Sequence, residues 1–395
     1  MQYRQFGKLD FRVSALGFGA MRLPIIDDDV AKINEPLATE MLRYAIDHGV
    51  NYVDTAYPYH GGNSEGFVGR VLQGGYREKV KLATKLPSWE IKSRQDFDKY
   101  LNEQLTRLQT DHIDFYLLHA LNKKSWHKLR DLGVLDWAER AIADGRFHYL
   151  GFSFHDDYEV FKEIVDAYDW TFCQIQYNYM DVENQAGTRG LQYAASKGMA
   201  VVIMEPLLGG KLVDPPPAIQ SIWDSAARKR TPVGWALQWL WNQPEVSVVL
   251  SGMSTLEQVK ENVALASASG IGTLTADELA LYDRVRARYR ELTAIPCTRC
   301  GYCMPCPQGV DIPANFANYN DGLMYDKPEA ARGQYSWWKY AYEVQGNLDH
   351  DIRAAQCIQC GECETKCPQA IPISEWMPVI HRALAENGPY VTELE

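Results

Sequence analysis

Eight of the nine cysteines fall in two runs, Cys297-x2-Cys300-x2-Cys303-x2-Cys306-Pro307 and Cys357-x2-Cys360-x2-Cys363-x3-Cys367-Pro368. Three thiolates two residues apart can wrap one cubane, because the chain between them curls and turns successive sulfurs inward. A fourth Cys followed by Pro leaves that curl and reaches a second cluster. The second run has the spacing that holds [4Fe–4S] clusters in this crossed way; the first is one residue shorter before its last Cys. The expected ligand sets are therefore Cys297, Cys300, Cys303 and Cys367 for one cluster, and Cys357, Cys360, Cys363 and Cys306 for the other. Two structural zinc sites, each held by four cysteines, are the bland alternative, but zinc pairs come as separated C-x2-C knuckles rather than quartets. Cys173, alone in an apolar run, reads as a small core residue.

A second set of reactive residues is Asp54, Tyr59, Lys85 and His119. Asp54, Lys85 and His119 each close a short apolar run, and Tyr59 follows Asp54 by one short loop. If the runs are neighbouring parallel strands, the three ends meet on one face and Tyr59 reaches in beside them. A tyrosine is a poor acid at neutral pH unless something tunes it. A nearby ammonium favours the phenolate, and a carboxylate holds that ammonium in place. A histidine can orient a carbonyl oxygen. Together with a hydride donor, such a set reduces carbonyls. Singly, each residue has a plain structural reading: a helix cap, a solvated lysine, a satisfied core histidine.

The elements that must position them are legible. Eight apolar runs read as strands: Ala15–Gly19, Asn51–Thr55, Val80–Lys85, Ile113–His119, Tyr149–Ser153, Phe172–Gln176, Ala200–Met204 and Val246–Ser251. Amphipathic stretches alternate with them at Thr39–His48, Ser64–Leu72, Gln95–Leu108, Trp126–Ala143, Asp157–Tyr168, Gly187–Lys197, Pro232–Asn242 and Thr255–Ala266, and Thr275–Leu292 follows. Eight strand–helix units predict an α/β fold, a (β/α)8 TIM barrel over residues 1–293. No Gly-rich dinucleotide fingerprint follows a strand, which counts against a doubly wound sheet. Val213–Ala218, with three consecutive prolines, reads as a loop that can be neither helix nor central strand. Residues 294–395 form a small domain around the cysteines. Its patterns near Ile312–Asn318 and Trp337–Val344 are helical, so a mainly helical two-cluster ferredoxin-like module is expected.

The barrel portion resembles the aldo-keto reductases. The similarity rests on LGFGAMRLP, YVDTAYPYHGGNSEGFVG, LATK, DFYLLH, GFSFH, QIQYNYM, EPLLGGKL and SGMSTLEQVKENV, in order and in register with the strands. The whole chain is similar to the subgroup with a C-terminal ferredoxin-type domain, through CTRCGYCMPCPQGVDIP. The resemblance implies that Asp54, Tyr59, Lys85 and His119 are the catalytic tetrad and that NAD(P)H lies extended across the barrel mouth. Its carboxamide would meet Ser153 and Gln174, and its ring would lie at Met204. Gly252 and Gln258 stand where many members carry cations for a 2′-phosphate, while Glu261 and Asn262 keep the adenine-side pattern. Phe154 replaces an expected polar contact. Lys211 and Lys260 are substitute cations, or plain surface lysines. The Gly209–Gly210 pair is a turn or a pyrophosphate approach.

Composition narrows the partners. With 40 Lys+Arg against 51 Asp+Glu the net charge is −11, which argues against nucleic-acid binding. No run could span a bilayer and the N-terminus has no apolar signal core, so the chain reads as cytoplasmic, without membrane partners. The leading function is an oxidoreductase acting on a small carbonyl or alcohol, with two [4Fe–4S] clusters for electron transfer. The alternatives are a ferredoxin-linked reductase with a flavin or other centre in the barrel, and a non-catalytic redox sensor with structural clusters. The loops Asn122–Trp126 and Val213–Ser225 would select the substrate. Trp89, Trp126 and Trp223 hint at an apolar or ring-shaped one.

Overall fold

The structure, a computed structural model, describes residues 1–343 and 348–394. Packing divides it into two compact units, Met1–Gly209 with Val233–Thr275, and Gly210–Pro232 with Ala276–Glu395. The 293/294 boundary divides the chain in sequence order, whereas packing assigns Gly210–Pro232 and the helix Ala276–Glu291 to the second unit.

In the first unit all eight expected strands form, and they close into one parallel barrel. They are β1 (Leu16–Gly19), β2 (Tyr52–Asp54), β3 (Lys81–Leu86), β4 (Ile113–Leu121), β5 (Phe147–Phe154), β6 (Phe172–Gln176), β7 (Ala200–Met204) and β8 (Val246–Gly252). Parallel strands covered on both faces read as continuous apolar runs, and every residue of β6 is buried. Side chains alternate across a strand. The inward set includes Tyr52, Ala83, Phe115, Leu117, Phe172, Ala200, Val202, Val248 and Leu250, so the barrel interior is packed. Gly151 makes room there, since a Cβ on it would lie 2.5 Å from the Phe172 ring.

Two hairpins escaped the sequence reading. Tyr3–Gln5 pairs antiparallel with Arg12–Ser14, and Phe6 beside them enters the inward cluster with its ring centroid 4.6 Å from that of Phe115. Ile25–Ile26 pairs with Asp29–Ile33 in the loop after β1. Strands of two to five residues are too short to show a period.

Several helix readings need correction. The first helix is Glu35–Asp47 rather than Thr39–His48, because Asn34 caps it by accepting from the Leu37 N–H and Pro36 fits the first turn. The single helix expected over Trp126–Ala143 is two, Lys123–Asp131 and Val134–Ala143, parted by Gly133 at φ +75°. Most of the expected Asn122–Trp126 loop is the first turn of the former helix, with Asn122 and Ser125 capping each other reciprocally.

In the second unit, Pro217–Asp224 is a helix, which corrects the loop readings over Val213–Ala218 and Val213–Ser225. Pro215 and Pro216 lie outside it; Pro217 occupies its first position, where no N–H is needed. The helix packs on Ala276–Glu291, with the Trp223 and Tyr282 rings 5.2 Å apart, and Arg230 pairs with Glu278. The cysteine-rich portion carries helices Ile312–Met324, Pro328–Glu343 and Ile373–Ala385 around a core with Phe316, Tyr319, Tyr335, Trp376 and Ile380. Both helical expectations hold there, and Val344 lies outside the described residues. Among the described residues this unit has no strand. No helix of the described residues is long and apolar enough to cross a membrane.

Candidate active site and cysteine cradle

Register brings the barrel residues together. Asp54 pairs with Ala83; two residues on along β3 is Lys85, which pairs with Leu117; two residues on along β4 is His119. Each step keeps the inward parity of Ala83 and Leu117 and moves toward the carboxyl ends of the strands. The stagger of a tilted barrel thus places all three on one rim. The series continues through Gly151 to Ser153, which pairs with Gln174, and through Val202 to Met204.

The Lys85 Nζ donates to Asp54 Oδ1 at 2.6 Å, to the Thr55 carbonyl at 2.8 Å and to the Tyr59 hydroxyl at 3.4 Å. Tyr59 lies in a tight turn in which His60 adopts φ +53°. That strain is offset by two bonds to the buried His60 ring. Its Nδ1 donates to the Val30 carbonyl at 2.8 Å, and its Nε2 accepts from the Leu23 N–H at 3.2 Å. The His119 ring stands edge-on to Tyr59 with centroids 6.2 Å apart, and the Trp89 ring lies 5.1 Å from it. Trp126 and Trp223 are fully buried and serve packing; Trp89 remains 40% exposed.

Electrostatics set the protonation states. Burial pulls the Lys85 ammonium toward neutrality, but Asp54 and then Tyr59 more than reverse this, so Lys85 stays charged. Burial and the Lys85 charge push the His119 imidazolium well below its usual 6.5, so the ring is neutral. Tyr59 departs from expectation. Burial raises its phenol above 10 and outweighs the opposing pull of Lys85, so it is a protonated acid rather than a ready phenolate.

Behind this group lies a buried network that the sequence reading missed. Gln104 Nε2 donates to the Lys85 carbonyl at 2.9 Å and to Glu65 Oε1 at 2.6 Å, and its Oε1 accepts from the Tyr116 hydroxyl at 2.6 Å. Thr84 also donates to Glu65. The available signal was a polar residue on the apolar face that Phe97, Tyr100, Leu101 and Leu108 define in the helix Arg94–Leu108.

The residues expected at a nicotinamide dinucleotide divide into two groups. Gln174 Oε1 and Asn262 Oδ1 are buried acceptors without a partner, which suits the amino groups of a carboxamide and an adenine. Ser153 Oγ accepts from the Ala120 N–H at 2.7 Å and keeps its own proton to give, and Asn262 donates to Ser251 at 3.0 Å. Met204 ends β7, half-buried, and Glu261 is half-buried on the helix Leu256–Ser267. Gln258 instead caps that helix, accepting from the Ser254 N–H at 2.8 Å. Neither substitute cation is free: Lys211 pairs with Asp321, within the second unit, and Lys260 lies 5.8 Å above the Tyr44 ring.

The two cysteine runs take the same local form. Arg299 and Gln359 adopt φ +56° and +57°, and each donates its N–H at 3.4 Å to the sulfur two residues back, Cys297 or Cys357. Gly301 and Gly361 are also left-handed, and the chain curls around each site. One cavity, of about 320 Å³, is lined by Cys297, Cys300, Cys303 and Cys367; the other, of about 440 Å³, by Cys303, Cys306, Cys357, Cys360 and Cys363, so Cys303 borders both. Each cavity thus draws on both runs, and convergent soft sulfur donors suit iron–sulfur clusters. One further group, His112, Asp114 and His148, gathers ligand atoms within 4.8 Å, but Arg77 and Lys81 already hold the Asp114 carboxylate at 2.9 Å each.

Comparison with known proteins agrees with both halves. The 4Fe-4S dicluster domain matches residues 296–371. An uncharacterized oxidoreductase of Bacillus subtilis (strain 168) is 26% identical over 67% of this chain and 90% of its own length. L-galactose dehydrogenase of Arabidopsis thaliana is 29% identical over 67% of this chain and 88% of its own. The holo form of an aldo-keto reductase from Bacillus halodurans superimposes with a TM-score of 0.61, at 27% identity, over 72% of this chain and 96% of its own. The Aldo/keto reductase family model matches residues 15–286, well over half of the chain, and the protein belongs to that family.

Proposed function

We propose that this oxidoreductase interconverts a carbonyl and an alcohol at the barrel mouth, with a nicotinamide dinucleotide as hydride partner and Tyr59 as proton donor. The observation that carries the reading is the buried Lys85 ammonium bonded at once to Asp54 and to the Tyr59 hydroxyl. A bound reduced nicotinamide supplies the hydride. Neutral His119 gives an N–H to the substrate oxygen and orients it. As negative charge builds on that oxygen, Tyr59 delivers its proton, and the phenolate left behind is held by Lys85. Asp54 keeps Lys85 charged and aimed. In the oxidative direction the same groups run in reverse.

Two [4Fe–4S] clusters, ligated in the crossed sets, supply one-electron carriers. Cys300 and Cys360 are exposed, one in each set, which favours exchange with a small ferredoxin-like partner.

The test is anaerobic purification with iron, sulfide and zinc analysis, then turnover of a panel of small aldehydes and ketones with NADH and NADPH. Tyr59→Phe is expected to abolish turnover while retaining dinucleotide binding. Undiminished turnover in that variant refutes the catalytic assignment, and zinc in place of iron refutes the clusters.

A further inference from the structure

The network behind Lys85 is not what packing alone would put there. Gln104, Glu65, Thr84 and Tyr116 are fully buried, on the helices Arg94–Leu108 and Ser64–Val71 and on β3 and β4. Polar groups in such a place are costly unless each is bonded, and apolar side chains of the same size would fill the space without that demand. The bonding converges on one amide. Gln104 gives its protons to Glu65 and to the Lys85 carbonyl, lies 3.3 Å from the Thr84 hydroxyl, and accepts from Tyr116.

Successive residues alternate across a strand, so Thr84 points out of the barrel and Lys85 into it. The Thr84 hydroxyl and the Lys85 main-chain carbonyl are therefore both tied from outside, through Glu65 and Gln104. On the inner side the Lys85 Nζ is held by Asp54 and by the Thr55 carbonyl. Thr55 is fixed in turn by its hydroxyl, 2.8 Å from that of Ser64, the residue before Glu65. Of the three contacts of Nζ, that to the Tyr59 hydroxyl, at 3.4 Å, is the longest and stands at the limit of a hydrogen bond. A small displacement of the Lys85 main chain would leave Nζ on Asp54 and Thr55 and take it out of reach of Tyr59.

We infer that Gln104 is a positioning residue, whose bond to the Lys85 carbonyl, braced by Glu65 and Tyr116, keeps Nζ within reach of the Tyr59 hydroxyl. The inference rests on the carbonyl chemistry proposed above. Gln104 acts only through Lys85. As Tyr59 gives up its proton, the phenolate is stabilised only while the ammonium stays close, and a misplacement of about 1 Å at such a site costs about a hundredfold in rate.

The test is single-turnover reduction by the intact, cluster-loaded chain, saturated with NADH or NADPH, whichever the wild type turns over. The substrate is the aldehyde or ketone that the wild type reduces fastest in the panel above. The rate constant counts only molecules that bind and react, so a loss of folded protein does not move it. Gln104→Met keeps the length of the side chain and removes its bonds. It is expected to lower the rate constant about tenfold or more, to raise the solvent deuterium isotope effect as proton delivery slows, and to leave dinucleotide affinity unchanged. Tyr116→Phe keeps its ring and strips only the Gln104 acceptor. It is expected to move the same two quantities by less, and it carries the test if Gln104→Met does not fold. A rate constant and isotope effect equal to wild type in the folded variants overturns the inference while the function stands, and so does a parallel loss of dinucleotide affinity, the mark of general damage to the site. A wild-type chain that reduces no carbonyl in the panel overturns the proposed function and this inference with it.

Discussion

Replacing Lys85 by Met separates two effects that the same ammonium produces. The first is on stability. Asp54 is 2% exposed and Lys85 is its counter-ion at 2.6 Å, so Lys85→Met strands a buried carboxylate. Breaking a buried pair from one side costs about 3–5 kcal/mol. The second is on chemistry. A phenolate forming on Tyr59 would lie 3.4 Å from Nζ. At an effective dielectric constant of about 20, two unit charges at that distance attract by about 5 kcal/mol, an upper bound worth between three and four orders of magnitude in rate. Adding Asp54→Asn removes the stranded charge but restores no cation. The double variant should therefore regain most of the lost stability, within about 1 kcal/mol of wild type, while its turnover stays lost. Stability is read from the urea midpoint under anaerobic conditions, and chemistry from single-turnover carbonyl reduction. A kcat loss in Lys85→Met below about tenfold would sink the proposed role of Lys85, and a double variant as unstable as the single would sink the buried-charge argument.

Three further outcomes follow from the geometry. Cys367→Ala should remove the cluster on Cys297, Cys300 and Cys303 and about four irons per chain, sparing the cluster on Cys357, Cys360 and Cys363; loss of the latter instead would mean uncrossed ligation. Because burial raises the Tyr59 phenol above 10, reduction should hold level through neutral pH and fall only on the far alkaline side, while oxidation rises over that same limb. The acid limb should lie well below 6.5, where His119 protonates, and a pH–rate profile in both directions checks this. Asp114 is buried and its carboxyl is lowered: burial alone would raise it, but Arg77, the Leu82 N–H and Lys81 reverse that. A group lowered by folding contributes stability above its unfolded value, near 3.9, and that contribution is lost as pH falls through the lower folded value. Asp114→Asn should accordingly cost about 2 kcal/mol at neutral pH and progressively less below pH about 4, measured by urea unfolding across pH.

What was legible in the chain was whatever repeats with a period or a spacing. The barrel strands lie in the apolar runs because parallel strands are buried on both faces, and Asp54, Lys85 and His119 stand out because they close such runs. The cysteine sets converge because the spacing dictates the curl. What was missed depends on contacts distant in sequence or on single residues. The hairpin Tyr3–Gln5 with Arg12–Ser14 is visible only through Phe6, which packs against residues from strands far along the chain. Gly133 interrupts a helical pattern whose apolar positions run through it without a change of phase, so one left-handed residue was the whole signal. Pro217 reads as a breaker until it is known to be first in its helix rather than within it. The raised Tyr59 phenol required weighing burial against Lys85, and burial is a property of the fold, not of the two residues.

The mouth of the barrel shows why comparison position by position falls short. Taken alone, Gly252 and Gln258 register as two cations lost. In three dimensions they differ in kind. Gln258 has a local task, capping its own helix. Gly252 is a vacancy of side chain already filled by the stem of Arg22, in the loop after β1 and 230 residues earlier in the chain. Charge at a rim where eight loops converge can be supplied from any of them, so long as the receiving position is small enough to let the stem lie across it. A glycine where a cation is expected is therefore a reason to look for a long cationic side chain on the neighbouring loop. In a closed barrel the loop after β1 neighbours the one after β8, as the pairing of Gly19 with Gly252 requires.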